Sequence, residues 1–464
     1  MARSRAAPTP SRVWPPRRAS VPDTLRIVCC IVLPTWSKGL FFRSRRMMRL
    51  AQRWDLDALA VRTMVSLRHR YGEGLLRLAN PIKSQVLVLA WDDAARILAG
   101  EPRPFATASR SKQIALAHFE PRTSLITRSA ERAPRRAFNE RVLDSGRPIH
   151  RCADDFRPIV ADEAARLRGI CGEALRWEPF AEAWSRGMRR LVLGSAATDD
   201  RELTEMLARL RRDANWVWLR RDRKRLRRRF HARLADHLAR AEPGSLAAMV
   251  TRRDAEQARP LDQVTQWLFA FDAGAIATWR ALALIATHPH ERAQALADAA
   301  AAADAADAAD AEGTSERAYL RACFLEALRL WPTTPLILRE TLSEVSFDGI
   351  TLAAGTELLV FAPYFHRDRA RVPDADRFAP AIWLGNDPAG VSPFVPFSGG
   401  PAACPGRHLV SMLASVWLAA LLEGSAPMAL IGAPPLGPAM PLPGTLDHFQ
   451  LRFQVGSGQR AEPV

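Results

Sequence analysis

The chain has 464 residues, of which 48% are hydrophobic and 25% charged, so it is long enough for one large domain or for two or three ordinary ones. Its 66 Lys and Arg against 49 Asp and Glu give a formal charge of +17, which favours acidic partners. The six cysteines form no CxxC pair and no zinc-ligand spacing, which argues against a disulfide framework and favours a reducing, cytoplasmic compartment.

The first 45 residues are rich in Arg, Pro and Ser and contain one short apolar run, Ile27–Leu33. A membrane span needs about 20 apolar residues, and a signal sequence needs a small-residue cleavage site after its apolar part. This run is followed at once by Pro34. We therefore predict a flexible basic leader over residues 1–45, without a transmembrane segment, and one folded domain over residues 46–464.

Helical periodicity begins at Arg45–Leu67 and ends at Gly72. Two short apolar stretches, Leu75–Leu78 and Gln85–Ala90, flank a turn and predict a β-hairpin. Helical periodicity then dominates to about residue 335. The pattern so far predicts a helix-rich domain in which strands are a minority.

After residue 335 the composition changes, because prolines and glycines become frequent. Phe347–Ile350 has the composition of a hairpin turn, Leu358–Ala362 that of a strand, and Leu409–Leu422 that of a helix. A further strand pair is predicted around Leu446–Val455. The fold class that follows is mainly α with minor β (α+β), as one large helical domain with small β-sheets.

Two segments have alternative interpretations. Leu219–Phe230 holds eight basic residues, which we interpret as a solvated helix face because no nucleic-acid-binding module accompanies it. Trp267–Thr287 is apolar on almost every side, as in a membrane span or a central core helix. Asp272 and Arg280 lie inside it, and charges at a bilayer centre cost several kcal/mol, so we predict a core helix.

The most informative segment is the loop Pro396–Leu409, which presents a lone cysteine, Cys404, ahead of an amphipathic helix. The free N–H groups at a helix N-terminus stabilise a thiolate. Gly400 permits backbone angles closed to other residues, and Gly406 lets the helix approach a flat ligand closely. A buried free cysteine is the alternative for this loop taken alone.

The histidines were weighed as rival metal ligands. They lack HExxH-type spacing, and we predict them to be surface or capping residues. They include His118, His288, His366 and His408.

Other motifs precede the cysteine loop in a fixed order: Glu326-Ala-Leu-Arg329, Leu338-Arg-Glu340, His366-Arg-Asp368 and Pro373–Phe378. In this order and spacing the chain resembles the cytochrome P450 superfamily, in its bacterial-type soluble form. The resemblance implies the cytochrome P450 fold and haem b (heme b, iron protoporphyrin IX) bound through the thiolate of Cys404. It covers the hairpin near residue 80, the apolar helix, and residues 320–455.

The resemblance also implies individual roles. Cys404 corresponds to the axial ligand of the iron, and Phe397 to a residue that packs against this ligand. Glu326, Arg329 and Arg377 correspond to a buried charge triad that locks the cysteine loop.

Further positions correspond to the cofactor's surroundings. Arg132, Arg136 and Arg339 match positions that face haem propionates, and Gly400 and Gly406 match loop glycines beside the haem.

The sequence departs from the family pattern at two places. Where the family usually has a propionate-binding arginine, two residues before the cysteine, this chain has Ala402. Where the family has an acid and an alcohol that deliver protons, it has Ile276 and Ala277. Thr278, Asp272, an ordered water or a substrate hydroxyl are the open candidates for this catalytic role.

The function implied is monooxygenation of a small organic substrate with O2. The chain has no P-loop and no GxGxxG motif after a strand, so a separate ferredoxin or flavoprotein is expected to donate the electrons. A peroxide-driven or rearranging haem-thiolate enzyme is the second reading, supported by the missing acid–alcohol pair. A haem-binding sensor or scaffold without turnover is the third.

Overall fold

The computed structural model describes residues 17–100, 103–128, 130–217, 219–220, 222–307, 317–347, 350–385, 394–423, 428–432 and 434–454. In the N-terminal half the helices are α1 (Val21–Ile27), α2 (Leu33–Ser37), α3 (Arg45–Arg53), α4 (Leu56–Tyr71), α5 (Trp91–Ala99), α6 (Arg110–Leu116), α7 (Arg132–Val142), α8 (Ala153–Ile170), α9 (Trp177–Leu193) and α10 (Arg201–Ala214). They continue with α11 (Lys224–Arg240), α12 (Arg252–Gln257), α13 (Pro260–Thr287), α14 (Pro289–Asp307), α15 (Ala318–Leu330), α16 (Ala362–His366) and α17 (Arg407–Leu422).

The strands are short. They are β1 (Arg17–Arg18), β2 (Leu75–Arg77), β3 (Gln85–Val88), β4 (Phe105–Ala106), β5 (Ala174–Arg176), β6 (Leu336–Thr341), β7 (Val345–Phe347), β8 (Ile350–Leu352), β9 (Glu357–Phe361), β10 (Ala429–Ile431) and β11 (Arg452–Gln454). Six of them form one sheet in the order β1-β2-β3-β9-β6-β4, and β10-β11-β5 and β7-β8 form two smaller sheets. The predicted α+β class is confirmed.

The strand pairings of both predicted hairpins are present, while the turn residues 348–349 lie outside the described part. β2 and β3 pair antiparallel with Leu76 opposite Leu87, and β7 and β8 pair with Phe347 opposite Ile350. The prediction of two paired strands around Leu446–Val455 is wrong, because only one strand lies in the described part of this segment and its partners come from other parts of the chain. β11 lies there, but it pairs with β10 and β5, since residues 448–450 form a 3-10 turn.

The apolar helix α13 is the centre of the helical layer, as predicted. It is long and apolar enough to cross a membrane, but 72% of its most apolar 18 residues are buried inside the protein. It packs against α9, α15 and α17. Aromatic rings seal this layer, with Phe180 stacked on Trp279 at 4.7 Å and Trp184 on Trp417 at 5.7 Å.

From Arg17 onward, the predicted flexible leader is replaced by a docked segment. β1 pairs in parallel with β2, and the Ser20 side chain caps α1 by accepting a hydrogen bond from the backbone N–H of Asp23. Ile27 and Ile31 are buried against the large sheet. The apolar run that is too short for a membrane is therefore core packing, while residues 1–16 lie outside the described part.

The basic run lies on α11 from Lys224 onward, and its arginines are mostly exposed. Arg229 forms an ion pair with Glu202 of α10. This agrees with a solvated helix face.

Candidate functional site

Cys404 lies in the loop that leads into α17. Its backbone N–H donates to the carbonyl of Phe397 at 2.9 Å, and the N–H of Arg407 donates to the Cys404 carbonyl at 3.3 Å. Gly400 has φ +65°, and a Cβ there would lie 2.2 Å from the carbonyl oxygen of Leu98, so only glycine fits. The loop is thus pinned at both ends.

Gly406 is different from Gly400. A Cβ on it would meet only Leu143 Cδ1, at an ordinary 3.7 Å. The protein's own contacts therefore do not demand glycine at this position, and the close approach of a flat ligand stays a prediction.

Opposing effects act on the Cys404 thiol. Burial raises its pKa, while the backbone N–H of Gly406 and the charges of Arg136 and Arg407 oppose that rise. Arg136 also donates to the carbonyl of Ala403 at 2.7 Å, which puts a guanidinium beside the position of Ala402. A bound metal cation would complete the stabilisation of the thiolate.

The chemistry of the donor set restricts what metal group fits. Among the described residues, no cluster of three or more His, Cys, Asp or Glu could hold a metal ion. A metal bound at Cys404 would fit this surrounding if a prosthetic group such as a metalloporphyrin supplied its remaining ligands.

Arginines around the loop suit an anionic prosthetic group. Arg339 on β6 is buried and donates to Ser398 Oγ at 3.0 Å, so it lies against the cysteine loop. Arg132 begins α7, one turn before Arg136. Carboxylates of a macrocycle bound beside the loop would find the guanidinium groups of Arg136 and Arg339 close by.

Glu326 and Arg329 on α15 form a fully buried ion pair at 2.6 Å, with both side chains 0% exposed. The remaining N–H groups of Arg329 donate to backbone carbonyls of residues 366–377. Desolvation is offset here because nearly every polar atom has a partner.

The third member of the predicted triad is wrong. The Arg377 side chain is exposed, and only its backbone carbonyl reaches Arg329, at 3.0 Å. Glu326 instead accepts hydrogen bonds from Trp383 Nε1 at 2.9 Å and from the Ala379 N–H at 3.0 Å. An indole N–H completes the carboxylate without adding a third buried charge.

His366, predicted as a surface or capping residue, is fully buried between α15 and the cysteine loop. Its Nε2 accepts from the backbone N–H of Val395 at 2.9 Å, so Nδ1 carries the proton and donates to the Arg329 carbonyl at 3.0 Å. Burial lowers the pKa of His366 to about 3, which keeps the ring neutral. This bridging role was not predicted from the sequence.

The other three candidate histidines lie in different environments. His118 and His288 are also buried, which contradicts the surface prediction. His288 does cap α13, where its Nδ1 lies 2.9 Å from the Leu284 carbonyl. His408 is half-buried beside Arg321.

The distal candidates lie on α13. The Thr278 hydroxyl is fully buried and donates to the Gly274 carbonyl at 2.8 Å, one turn earlier. Asp272 forms an ion pair with Arg211 of α10. Ile276 and Ala277, between these two candidates, carry no proton donor.

The comparisons with known proteins bear on this geometry. Residues 263–424 match the family model described as cytochrome P450. Indoleacetaldoxime dehydratase of Arabidopsis thaliana is 42% identical over 109 residues, and cytochrome P450 4c3 of Drosophila melanogaster is 34% identical over 91 residues. These matches cover 22% and 19% of this chain, and 22% and 17% of those relatives.

Solved structures are similar over much more of the chain. CYP175A1 from Thermus thermophilus gives a TM-score of 0.62 at 17% identity, covering 88% of this chain and 98% of that one. Retinoic acid-bound cyanobacterial CYP120A1 gives 0.65 at 16% identity, covering 84% and 93%. At this level of identity the likeness establishes the fold.

Proposed function

The chain belongs to the cytochrome P450 superfamily, whose cofactor is thiolate-ligated haem b, and we propose that it is a monooxygenase acting on a small organic substrate. The bound haem supplies the activation of O2. The observation that carries the proposal is the cysteine loop itself: Cys404 stands alone at a helix start, held by Phe397 and faced by Arg136 and Arg407.

Within this function Cys404 would supply the thiolate ligand of the haem. Arg132, Arg136 and Arg339 would hold the propionates, and Arg136, bonded to the Ala403 carbonyl, would supply the charge that the family usually provides at the position of Ala402. The contacts of Arg136 with Ala403 and of Arg339 with Ser398 support this assignment, because both keep a guanidinium on the loop.

The electrons come from a separate acidic ferredoxin or flavoprotein. Arg407 and Arg321 lie on the side of the loop that carries α17, where they favour an acidic partner. All six cysteines are free thiols, which supports a reducing, cytoplasmic location.

A peroxide-driven or rearranging enzyme is the alternative. Ile276 and Ala277 cannot donate protons, the Thr278 hydroxyl is committed to the Gly274 carbonyl, and Asp272 is paired with Arg211. One partial relative is named a dehydratase, so the matched segment occurs in proteins named for chemistry other than oxygen insertion.

The first test is spectroscopic. The ferrous–carbonyl complex of the purified protein should show the strongly red-shifted Soret band of thiolate ligation, and Cys404→Ala should abolish it. Cys323→Ala, at a buried cysteine of α15, is the matched control and should keep the band. A histidine-type spectrum of the wild-type protein, or an unchanged Cys404→Ala spectrum, contradicts the proposal.

The second test separates the two reactions. Product formation should require reduced nicotinamide and a donor protein. Full turnover with peroxide alone, with no gain from donor proteins, would establish the alternative.

A further inference from the structure

A short segment between α6 and α7 carries buried polar side chains that lack partners among the described residues. Both carboxylate oxygens of Glu120 and the hydroxyl of Thr123 are without a hydrogen-bond partner, and both residues are 0% exposed. Nδ1 of His118, which is 8% exposed, is also without one. Buried polar groups in folded proteins are nearly always hydrogen-bonded, to protein, to water or to a ligand, so three such groups in six residues need partners from outside the described residues.

The backbone around these side chains is held firmly. The Glu120 N–H donates to the Leu116 carbonyl at 2.8 Å, Arg227 donates to the His118 carbonyl at 2.9 Å, and the Ser124 N–H donates to Gln263 of α13 at 3.1 Å. The unpartnered groups are therefore fixed in place and not the product of a loose loop.

The segment lies close to the part of α13 where oxygen chemistry is expected. The Phe119 ring makes an edge contact with Phe269 of α13, with centroids 5.4 Å apart. At 1.5 Å per residue, Phe269 precedes residues 273–278 by about 6–14 Å along the helix. A small organic molecule can span this distance.

Among the described residues, no cation forms an ion pair with the buried Glu120 carboxyl. Burial raises its pKa well above the usual range; Arg211 opposes this and Asp262 adds to it. Arg211 is already engaged, since it pairs with Asp272 and donates to the Phe41 carbonyl at 2.8 Å. Asp262 is paired with Arg259. An ammonium group beside Glu120 would favour its ionised form and pair with it.

Aromatic rings in the same region already pack beside a cation of the protein itself. The Arg211 guanidinium lies 4.8 Å from the centroid of the Phe269 ring, and Phe41 and Phe119 pack edge-on against the same ring. Ammonium groups are attracted to ring faces in the same way.

We propose that Glu120 binds the positively charged nitrogen of an amine substrate, with His118 and Thr123 completing the polar end and Phe119 and Phe269 holding the apolar body. This names the substrate class of the proposed monooxygenase and rests on that function. A molecule anchored at Glu120 extends its apolar part along α13 towards residues 273–278.

The test compares two probes that differ in one atom. Trimethyl(3-phenylpropyl)ammonium carries a permanent charge and cannot ligate iron through nitrogen, and (4,4-dimethylpentyl)benzene replaces the charged nitrogen by carbon. Calorimetric titration of the purified haem-loaded protein should show that the cation binds at least roughly tenfold more tightly than the neutral probe. Glu120→Gln should remove this preference while the affinity for the neutral probe stays within about threefold, and the exposed-site control Glu173→Gln should keep it.

Equal affinities of the wild-type protein for the two probes overturn the inference even if Glu120→Gln does not fold. So does a Glu120→Gln protein that retains the preference. The ferrous–carbonyl spectrum of the same preparation separates the two proposals: with the thiolate band present, a missing preference overturns the amine site alone. Without that band, the haem-thiolate function fails.

Discussion

Replacing His366 by Asn or by Gln tests whether this residue positions the cysteine loop. The Asn amide nitrogen can take the place of Nδ1 and keep the donation to the Arg329 carbonyl, while Val395 loses its acceptor. The Gln carbonyl oxygen can take the place of Nε2 and keep the bond from Val395, while the bond to Arg329 is lost. The two variants therefore break opposite halves of one bridge.

The magnitude follows from burial. Val395 is 6% exposed, and a buried N–H left without an acceptor costs about 1–3 kcal/mol. Total stabilities are about 5–15 kcal/mol, so both variants should fold. Val395 begins the segment in which the Phe397 carbonyl accepts from the Cys404 N–H, so losing its anchor loosens the thiolate.

The assay is the fraction of ferrous–carbonyl haem with the red-shifted Soret band, measured beside the free energy of unfolding in urea. We expect similar losses of stability in both variants and a reduced thiolate fraction in His366→Asn alone. His288→Asn and His288→Gln, at a buried cap of α13, should lose stability without a spectral difference. Equal thiolate fractions in the two His366 variants would refute the positioning role.

Three further predictions follow from the structure. Glu326→Ala leaves the buried Arg329 guanidinium without its partner and should cost about 3–5 kcal/mol of stability with loss of haem. Arg377→Ala, at an exposed side chain, should change the melting temperature and haem content little. Equal losses of stability and haem in the two variants would restore the predicted triad. Ile276→Asp combined with Ala277→Thr should raise product formed per reduced nicotinamide, with peroxide counted alongside, and a fall would favour the peroxide-driven reading. Lys38 holds the pKa of Asp57 below its usual value, although burial acts to raise that pKa. The ionised form of Asp57 therefore contributes stability at neutral pH that is lost as the pH falls below about 4. Asp57→Asn should flatten this acid-side loss in urea unfolding between about pH 3 and 7, and parallel plots of unfolding free energy against pH for the variant and the wild-type protein would contradict the assignment.

The elements that the sequence predicts well are those specified by neighbouring residues. Two short apolar stretches on either side of a turn are sufficient to predict the β2–β3 hairpin. An apolar run interrupted by Asp272 and Arg280 is sufficient to place α13 inside the protein. The cysteine loop is recognisable because Cys404 and Gly400 occur within a few residues of each other.

What the sequence could not predict depends on contacts between distant segments. Arg17 pairs with Leu76 through strand hydrogen bonds that composition does not indicate. Trp383 replaces the guanidinium of Arg377 on Glu326 because of where the intervening loop turns, and no local pattern distinguishes the two. One signal was available for His366: it directly precedes Arg367, inside a motif that the sequence analysis had already singled out.

The departures from the family pattern differ between the two sides of the proposed haem site. On the side of the cysteine, each departure has a substitute within reach: Arg136 lies beside Ala402, and Trp383 replaces Arg377 on Glu326. On the α13 side no described side chain takes over from the missing acid–alcohol pair, because Thr278 is bonded to its own helix. The two arginines on the loop therefore support the proposed assignment of the cofactor site, whereas Thr278 and Asp272 are both engaged within the protein. Under the proposed function we expect a bound substrate or its water to contribute to proton delivery, and a polar anchor at Glu120 would hold that substrate in place.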